Sequence, residues 1–466
     1  MRQVTYKHYL LILLTVISAC NYFDRIALSV VVQDIKADLH LSDTQIGFLS
    51  GIAFALFYAL MGIPIARWTD RGNRVTIIAL TTALWSVMVA LCGRATSFLQ
   101  LLLCRVGVAV GESGCWPPAN SLIPDNFSRA ERPKAVGIYA VGGQFSALTG
   151  FVVAGWLNQW FGWRMMFLII GLPGALLAML AWLTIREPRL KRSASEPTSA
   201  VSGAAPPNEE CEAAGTSSAG LSGQDTLRDV VLTLWRNVTF RHLFVQFCVW
   251  YFFGNGLGQW TPAFFIRSFG FTSGQLGVWM SLAYGVTGVM GTYAGGVLTT
   301  RYLALKERLQ FRGMALLYCF MPLMWLAVFL SHNAYVALGL LGAGVGIGAA
   351  ANGPNYAALQ TLVPPRMRAT AIAILFLFAN LIGLGLGPLA VGAISDALRP
   401  HFGQESLRYA LVVFCPGYLW CAWHLWCASK TVERDMESVR HFDEQDSGSR
   451  REPQDRMLNA YGDHTT

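Results

Sequence analysis

Apolar residues dominate the chain in twelve separate runs, and short polar segments divide these runs from one another. Each run approaches or exceeds the roughly 20 residues that a helix needs to cross the hydrocarbon core of a bilayer. The pattern predicts an all-α polytopic membrane protein with twelve transmembrane helices, here called spans 1 to 12. In order, the predicted spans are Leu10–Val32, Ile46–Ile65, Val75–Leu91, Phe98–Ile123, Ala135–Trp156, Met165–Ile185, Leu243–Ile266, Gly277–Leu298, Gly313–Leu330, Tyr335–Leu362, Ala369–Ile394 and Tyr409–Ala428.

Composition and charge placement agree with this prediction. Of the 466 residues, 54% are apolar and only 13% are charged, about half the charged share of a soluble domain. Of the 35 Lys and Arg residues, 27 fall in segments on the side of the termini and 6 on the opposite side. This bias predicts a protein of the cell (inner) membrane with both termini in the cytoplasm. The net charge of +8 therefore reflects topology, and we expect no nucleic-acid partner.

A long polar gap separates the first six spans from the last six. Residues 193–224 are rich in Ser, Ala, Gly and Pro without apolar periodicity, which predicts a flexible cytoplasmic linker. Residues 225–241 alternate apolar and basic residues at helical spacing, which predicts an interfacial helix. The expected organisation is a six-helix bundle over 1–192, the linker, the interfacial helix with a second six-helix bundle over 225–429, and a disordered cytoplasmic tail over 430–466.

Two segments of the first half return in the second half. LSDTQIG at 41–47 resembles FTSGQLG at 271–277, at an offset of 230 residues. PANSLIPDNFSRAERPKA at 118–135 resembles PNYAALQTLVPPRMRATA at 354–371, at an offset of 236 residues. Two parallel six-span halves are typical of major facilitator transporters, whose substrate site lies between the halves near the membrane midplane.

The sequence offers no motif for metal or enzyme chemistry. Its ten cysteines form no CxxC pair and no Cys/His cluster with the spacing of metal ligands. We therefore expect no disulfide framework, no metal and no cofactor. HExxH, GxSxG and paired His/Asp motifs are missing, which argues against a membrane enzyme. A receptor without transport activity would be expected to carry a folded cytoplasmic domain, where this chain has a linker and a tail.

Four charged residues fall deep inside predicted spans. Asp24 and Arg25 lie in span 1, and Arg105 and Glu112 lie in span 4. Each charge would cost about 2.5–3.5 kcal/mol at a helix centre, so these side chains should face one another or a wet cavity. The spacing of Arg105 and Glu112 is two helical turns, which places both on one face of span 4. Two interpretations stay open: a site for proton coupling and substrate binding, or a permanent structural ion pair.

The second half carries no charge deep in its spans, and its candidate cavity residues are uncharged. A charged first half that faces an uncharged, aromatic second half predicts an amphiphilic cavity. Such a cavity suits a substrate with one ionic head and an apolar body. The candidates are Asn255, Gln259 and Trp260 in span 7, Asn352 and Asn355 in span 10, and Asn380 in span 11.

Four motifs together resemble bacterial members of the spinster-like branch of the major facilitator superfamily, which carry sphingolipids or lysolipids. The resemblance covers nearly all of the N-terminal half and is looser in the C-terminal half. It implies the major facilitator fold, with 12 transmembrane helices in two six-helix bundles. The motifs are NYFDR at 21–25, LSDTQIGFLSGIAFALFYALMGIPIARWTDRGNR at 41–74, RVGVAVGESGCWPPANSLI at 105–123 and FGWRMMFLIIGLPG at 161–174.

The same resemblance implies roles for the charged residues. Related transporters couple transport to protons through carboxylates at the motif positions that Asp24 and Glu112 occupy here. In facilitators of this type, the aspartate that Asp70 matches braces the two halves on the cytoplasmic side, so we expect a gate at Asp70, Arg71 and Arg74. The dipole at the start of span 11 would attract that carboxylate.

These inferences lead to one expected function and one alternative. We expect a proton-coupled secondary active transporter, not an enzyme, that works by alternating access. Its substrate would be an amphiphilic or organic-anionic small molecule, such as a lysolipid, a sphingoid-like lipid or an apolar organic acid. The alternative is a proton symporter that imports a carboxylate nutrient such as an aromatic or sugar acid. The expected partners are the substrate, a proton and the lipid bilayer, and the expected state is a monomer.

Overall fold

The computed structural model describes residues 2–128, 130–187, 227–303, 306–364 and 367–438. Within these ranges the chain is helical, and no strand occurs. The predicted linker at 193–224 and the part of the predicted tail beyond residue 438 lie outside the described residues.

The first half forms spans 1 to 6. Span 1 is one long helix, spans 2 and 4 each consist of two consecutive helices, and spans 5 and 6 run together through a kink at Gly162. Gly162 has φ of +76°, a backbone conformation that side chains with a Cβ rarely adopt. The helices are Arg2–Leu39, Asp43–Ser50 with Ile52–Arg71, Arg74–Cys92, Phe98–Glu112 with Trp116–Asn126, and Arg132–Thr184.

The second half forms spans 7 to 12 with the same plan. A short helix, Leu227–Arg236, precedes span 7, and spans 8 and 11 each contain a wider π-helical segment in the middle. The spans are Val238–Phe269, Ser273–Met280 with Ser281–Val286 and Thr287–Tyr302, Glu307–Leu330, Ala334–Ala350 with Asn352–Thr361, Arg368–Ala379 with Asn380–Leu386 and Gly387–Phe402, and finally Ser406–Phe414 followed by 417–438.

Helix length and hydropathy account for the twelve spans. Eight helical stretches of the described residues are long and apolar enough to cross a membrane. Two of them, Lys134–Thr184 and Thr370–Ser438, each contain two spans. Spans 7 and 8 complete the set, although aromatic, amide and glycine residues lower their hydropathy.

The repeat seen in the sequence has a structural meaning at the start of spans 2 and 8. Ser42 accepts a hydrogen bond from the amide of Gln45, and Thr272 accepts one from the amide of Gln275. Each side chain therefore satisfies a backbone N–H that the first helical turn leaves unpaired. The two motifs mark the same helix start in each half.

The halves meet along two seams that follow the same repeat. One joins span 2 to span 11, and the other joins span 8 to span 5. In each seam, glycines let one helix pack directly on carbonyl groups of the other, and a Cβ there would collide with the opposing backbone. The span 2–11 contacts are Gly392 on Asp43, Gly47 on Pro388 and Gly51 on Gly385; the span 8–5 contacts are Gly155 on Ser273, Gly277 on Phe151 and the Ser281 hydroxyl donating to Leu148.

Span 12 continues as a helix to residue 438, past the expected boundary at 429. Asp435 explains this difference, because its carboxylate accepts hydrogen bonds of 2.8 Å from both the amide and the hydroxyl of Thr239. Val432 is fully buried on the same helix. The polar composition that predicted a tail over 430–438 therefore includes residues that anchor the start of span 7.

Candidate functional site

Spans 1 and 4 bring the four intramembrane charges together in two ion pairs. Arg105 Nη1 lies 2.6 Å from Asp24 Oδ2, and both side chains are almost fully buried. Arg25 Nη2 lies 2.6 Å from Glu112 Oε2, and Arg25 Nε donates to the same oxygen at 2.8 Å. Adjacent residues of span 1 thus bind partners two turns apart on span 4.

The two pairs differ in their access to solvent. Asp24, Arg105 and Glu112 have no more than about 2% of their side chains exposed, whereas Arg25 has 23%. Arg25 is therefore the member of the cluster that an incoming ligand would meet first. The Arg105–Asp24 pair is closed to solvent by comparison.

Aromatic rings surround the exposed guanidinium. The Arg25 guanidinium lies 4.6 Å from the ring centre of Phe54, 5.0 Å from that of Tyr58 and 5.3 Å from that of Tyr22. Phe54 also lies 5.2 Å from the guanidinium of Arg105, so one ring contacts both cations. Cation–π attraction of this kind stabilises a positive charge in a site with little water.

Each carboxylate of the cluster has one oxygen without a hydrogen-bond partner. These atoms are Asp24 Oδ1 and Glu112 Oε1, and Arg105 Nε is likewise unpartnered. An ionised carboxylate that is buried with a free oxygen is costly. A proton on that oxygen, or a ligand that bonds to it, would remove the cost.

The second half contains a cavity of about 380 Å³. Residues of spans 7 to 10 and 12 line it, among them Trp250, Tyr284, Tyr318 and Trp325. Tyr251, also in the lining, belongs to span 7, and span 7 contacts span 1, which carries Asp24 and Arg25.

The six candidate cavity residues fall in different environments. Asn255 and Asn352 line the cavity. Asn355 is fully buried and donates to the Tyr318 hydroxyl at 3.3 Å, which places it behind the wall. Asn380 donates to the Phe376 carbonyl at 2.8 Å, at the point where the π-helical segment of span 11 begins.

Gln259 and Trp260 are not among the residues that line this cavity. Gln259 Nε2 is buried without a hydrogen-bond partner. Trp260 is fully buried, and its indole N–H donates to the Pro388 carbonyl at 2.9 Å. Trp260 therefore joins span 7 to span 11 inside the second half, and its ring serves packing at that position.

The expected gate residues separate into two groups. Asp70 and Arg71 are exposed at the end of span 2. Arg74 is almost fully buried, and it binds Glu187, Asp125 (2.7 Å) and the Ser121 carbonyl (2.9 Å), all in the first half. Arg74 thus holds the ends of spans 3, 4 and 6 together.

At the same end of the first half, Glu131 in the segment between spans 4 and 5 pairs with Lys7 at 2.6 Å. Hydrogen bonds from Lys7 and Ser128 lower the pKa of the exposed Glu131 carboxyl to about 2. This carboxylate stays ionised through the physiological pH range, so it has no part in proton exchange near neutral pH.

Sequence reasoning missed a third charged cluster, at the end of the bundle away from the termini. Asp43 is fully buried there and accepts two bonds from Arg267, at 2.8 Å from Nη1 and 2.5 Å from Nη2. Lys36 also pairs with Asp43, and the Ser395 hydroxyl donates to it at 2.7 Å. Because Arg267 and Ser395 belong to the second half, this cluster fastens the two halves together.

Asp396 completes this cluster. Its carboxylate accepts hydrogen bonds from the amide of Asp43 at 3.1 Å and the amide of Thr44 at 2.7 Å. At the equivalent position of the other seam, the Gln159 side chain accepts from the amide of Gly274 at 3.0 Å. In the sequence, the LSDTQIG repeat could have pointed to this cluster. It marks the start of span 2, whose first amides donate to Asp396.

Two helical halves are joined at one end, with buried charges inside the first half and an aromatic cavity inside the second. This is the architecture of a membrane transporter and not of an enzyme. The chain belongs to the Major Facilitator Superfamily, whose family model matches residues 14–429. This confirms the predicted fold of 12 transmembrane helices in two six-helix bundles.

Individual relatives support the predicted branch of the superfamily. The chain is 32% identical over 405 residues to an MFS-type efflux pump of Mycolicibacterium smegmatis, covering 86% of this chain and 87% of the pump. It is 24% identical to protein spinster homolog 1 of Xenopus tropicalis, covering 88% and 78% of the two chains. A crystal structure of a bacterial homologue of the human lysosomal transporter Spinster, inward-facing and unoccupied, matches with 30% identity, a TM-score of 0.77 and coverage of 92% and 98%. The spinster-like resemblance is thus confirmed.

Proposed function

We propose that this transporter is proton-coupled and moves an amphiphilic or organic-anionic small molecule by alternating access. One observation carries the proposal: a partly exposed Arg25 is bound to a fully buried Glu112 that keeps one oxygen free. Lysolipids, sphingoid-like lipids and apolar organic acids all combine an ionic group with an apolar body.

The coupling follows from competition for one guanidinium. When an anionic group of the substrate binds Arg25, Glu112 loses its cation in a site with little water. Desolvation then favours the neutral form of the carboxyl group, so Glu112 takes up a proton. Release of the substrate restores the ion pair and expels the proton. The substrate anion and the proton therefore bind together and cross together.

The Arg105–Asp24 pair has a supporting role in this scheme. It is closed to solvent, and the Phe54 ring contacts the guanidinium groups of both Arg105 and Arg25. A change in the charge of Glu112 therefore changes the electrostatic environment of Arg105 and Asp24. Asp24 Oδ1, which has no partner, is the second position that could hold a proton.

The test is transport in proteoliposomes with an imposed pH gradient, against a panel of lysolipids and aromatic acids. Glu112→Gln mimics the protonated carboxyl, so it should abolish accumulation driven by the gradient and preserve exchange of substrate across the membrane. Asp38→Asn is a matched control, because Asp38 pairs with Arg164 at 2.8 Å outside the cluster. A Glu112→Gln, Asp24→Asn double variant that still concentrates substrate would refute the proposal.

The competing interpretation, a permanent structural ion pair, makes a different prediction. Neutral replacement of one partner would then lower thermal stability, because the other charge stays buried and unpaired. Replacing Arg25 and Glu112 together would restore much of that stability. In the coupling scheme, the same double replacement stays folded and loses the response to the gradient.

Export of a cationic compound is the second candidate, and the similarity to the efflux pump of M. smegmatis supports export as the direction of transport. A cation would compete with the proton for Glu112, so binding of one would exclude the other, and the two would cross in opposite directions. The sign of the proton movement that accompanies substrate entry separates the two candidates. Import of a carboxylate nutrient predicts the same sign as the main proposal, so sugar acids are added to the panel to test it. The curated relatives include a probable L-galactonate transporter of Escherichia coli, 30% identical over 38% of this chain and 39% of that protein.

We also propose that both termini are cytoplasmic in the inner membrane. The charge bias of 27 against 6 supports this orientation. In that orientation, the end at which the Asp43 cluster fastens the two halves faces outward. Substrate then reaches Arg25 from the cytoplasm. Labelling of single cysteines at residues 94 and 70 with a membrane-impermeant thiol reagent, in intact cells and in inverted vesicles, tests it. The expected result is that residue 94 reacts in cells and residue 70 only in inverted vesicles.

A further inference from the structure

The short helix Leu227–Arg236, called the surface helix below, joins span 7 with only Asn237 between them. It packs on span 7 and on the first helix of span 11. Val230 and Leu234 are buried, and they lie one turn apart on the same face of the helix. The surface helix is therefore fixed to the second half at the point where span 7 begins.

A second face of the surface helix is apolar and exposed. Val231 is 41% exposed, Leu232 is 46% exposed and Trp235 is 54% exposed. A contiguous apolar face that stays accessible marks a contact with another protein or with a membrane.

The Trp235 ring shows that this face is turned toward the membrane. Its centre lies 6.2 Å from the ring centre of Phe244, and the Phe244 ring lies 5.7 Å from that of Phe378 on span 11. Phe244 is six residues beyond Val238, the first residue of span 7, which is about 9 Å along the helix. Trp235, Phe244 and Phe378 therefore form a row of rings that runs from the surface helix into the membrane and onto span 11.

Arg228 adds a positive charge to the same face. It is exposed, and it precedes Trp235 by seven residues, or two helical turns, so the two side chains point the same way. The sequence around the surface helix, 227–241, contains three arginines and one aspartate. A basic segment at the membrane surface is attracted by anionic lipids of the cytoplasmic leaflet.

We infer that the surface helix and the row of rings bind an anionic phospholipid of the cytoplasmic leaflet. The phosphate group would lie at Arg228, because a guanidinium binds phosphate through paired hydrogen bonds. An acyl chain would lie along Trp235, Phe244 and Phe378. A soluble protein fits this surface poorly, since the row continues inside the spans. The inference takes only the cytoplasmic orientation from the proposed function.

Amide hydrogen exchange of the purified full-length protein in nanodiscs tests the inference. One nanodisc contains phosphatidylcholine alone, and the other also contains phosphatidylglycerol with the same acyl chains. A helix as short as the surface helix is marginal once it leaves its binding surface, so exchange of its amides reports that release. Phosphatidylglycerol should slow this exchange about fivefold or more, as expected for one arginine beside an anionic surface. High salt should remove the difference.

Three variants assign the contacts, and a fourth is the matched control. Arg228→Gln should remove most of the difference between the nanodiscs, whereas Arg228→Lys should keep most of it because the charge is retained. Trp235→Ala should speed exchange by the same factor in both nanodiscs, since it removes an apolar contact and no charge. Lys430→Gln removes an exposed cation of span 12 at the same end of the second half, and it should leave the difference unchanged.

Three results would overturn the inference. One is equal exchange of the surface helix in the two nanodiscs, and another is a difference that Arg228→Gln leaves unchanged. The third is an equal loss of the difference in Arg228→Gln and Lys430→Gln, which would show only a general attraction between charges. All of these variants change exposed residues, and thermal unfolding verifies that each is folded. No result depends on substrate or protons, so failure here would leave the proposed function intact.

Discussion

The bond between Arg267 and Asp43 gives the sharpest prediction, because it stabilises one conformation and not the fold. Arg267→Gln removes two hydrogen bonds to a buried carboxylate that joins the halves. Loss of one partner of such a pair costs about 2–5 kcal/mol. Lys36 and Ser395 still contact Asp43, so we expect the lower value, about 2 kcal/mol. The ratio of open to closed molecules at this end should rise roughly thirtyfold.

Amide hydrogen exchange measures this ratio directly. The amides of Asp43 and Thr44 donate across the seam to Asp396, so they exchange only when the seam opens or the chain unfolds. Arg267→Gln should speed their exchange roughly thirtyfold. Amides in the middle of span 3, which packs on helices of the first half, should keep their exchange rates.

Arg408→Gln is the matched control. Arg408 pairs with Glu405 near the same end of the bundle, and both residues belong to the second half. Its replacement should leave exchange of the Asp43 and Thr44 amides unchanged. Unchanged exchange of those amides in folded Arg267→Gln protein would refute the reasoning that this cluster holds the end closed.

Four further changes have defined outcomes. Gly155→Leu should prevent closure of the span 5–8 seam and slow transport, because a Cβ there collides with the Ser273 carbonyl, whereas Gly137→Leu, with no atom within 4 Å, should transport normally. Asp70→Asn should shift the population toward the inward-open state without loss of folding, as cysteine accessibility from the cytoplasm would report; unchanged accessibility with normal transport contradicts the gate. Replacement of 193–224 by roughly ten Gly and Ser residues should leave both bundles folded. A variant that failed to insert into the membrane would show that this segment has a structural role. A chain that ends after residue 429 should unfold at a lower temperature than one that ends after residue 438, because it loses the bonds from Asp435 to span 7; equal unfolding temperatures would contradict that anchor.

The spans were predictable because apolar runs of membrane length report burial in lipid directly. The repeat was predictable for a related reason, since equivalent helix starts need equivalent capping residues such as Ser42 and Thr272. The end of span 12 was not predictable from hydropathy. Asp435 and Thr431 look like tail residues, and only the position of Thr239 makes them structural.

The central charges could be named from the sequence, but their pairing could not. Spacing places Arg105 and Glu112 on one face of span 4, yet it does not show that Arg25 takes Glu112 and Asp24 takes Arg105. Arg267 directly follows the predicted end of span 7 at Ile266, where hydropathy indicates a residue that faces water. Its partner, Asp43, lies 224 positions away on the other half, and no local pattern links them.

The two seams are alike in backbone geometry but differ in charge, and this difference orders the steps of opening. On the span 2–11 side, separation must return a carboxylate and a guanidinium to water. On the span 5–8 side, the bonds seen among the described residues are neutral, such as the one that the Gly274 amide donates to the Gln159 side chain. The span 5–8 seam should therefore open first. The molecule should then pass through an asymmetric intermediate in which that seam is open and the span 2–11 seam is still closed. A hydrophobic compound could enter or leave sideways through that first gap, directly from the lipid.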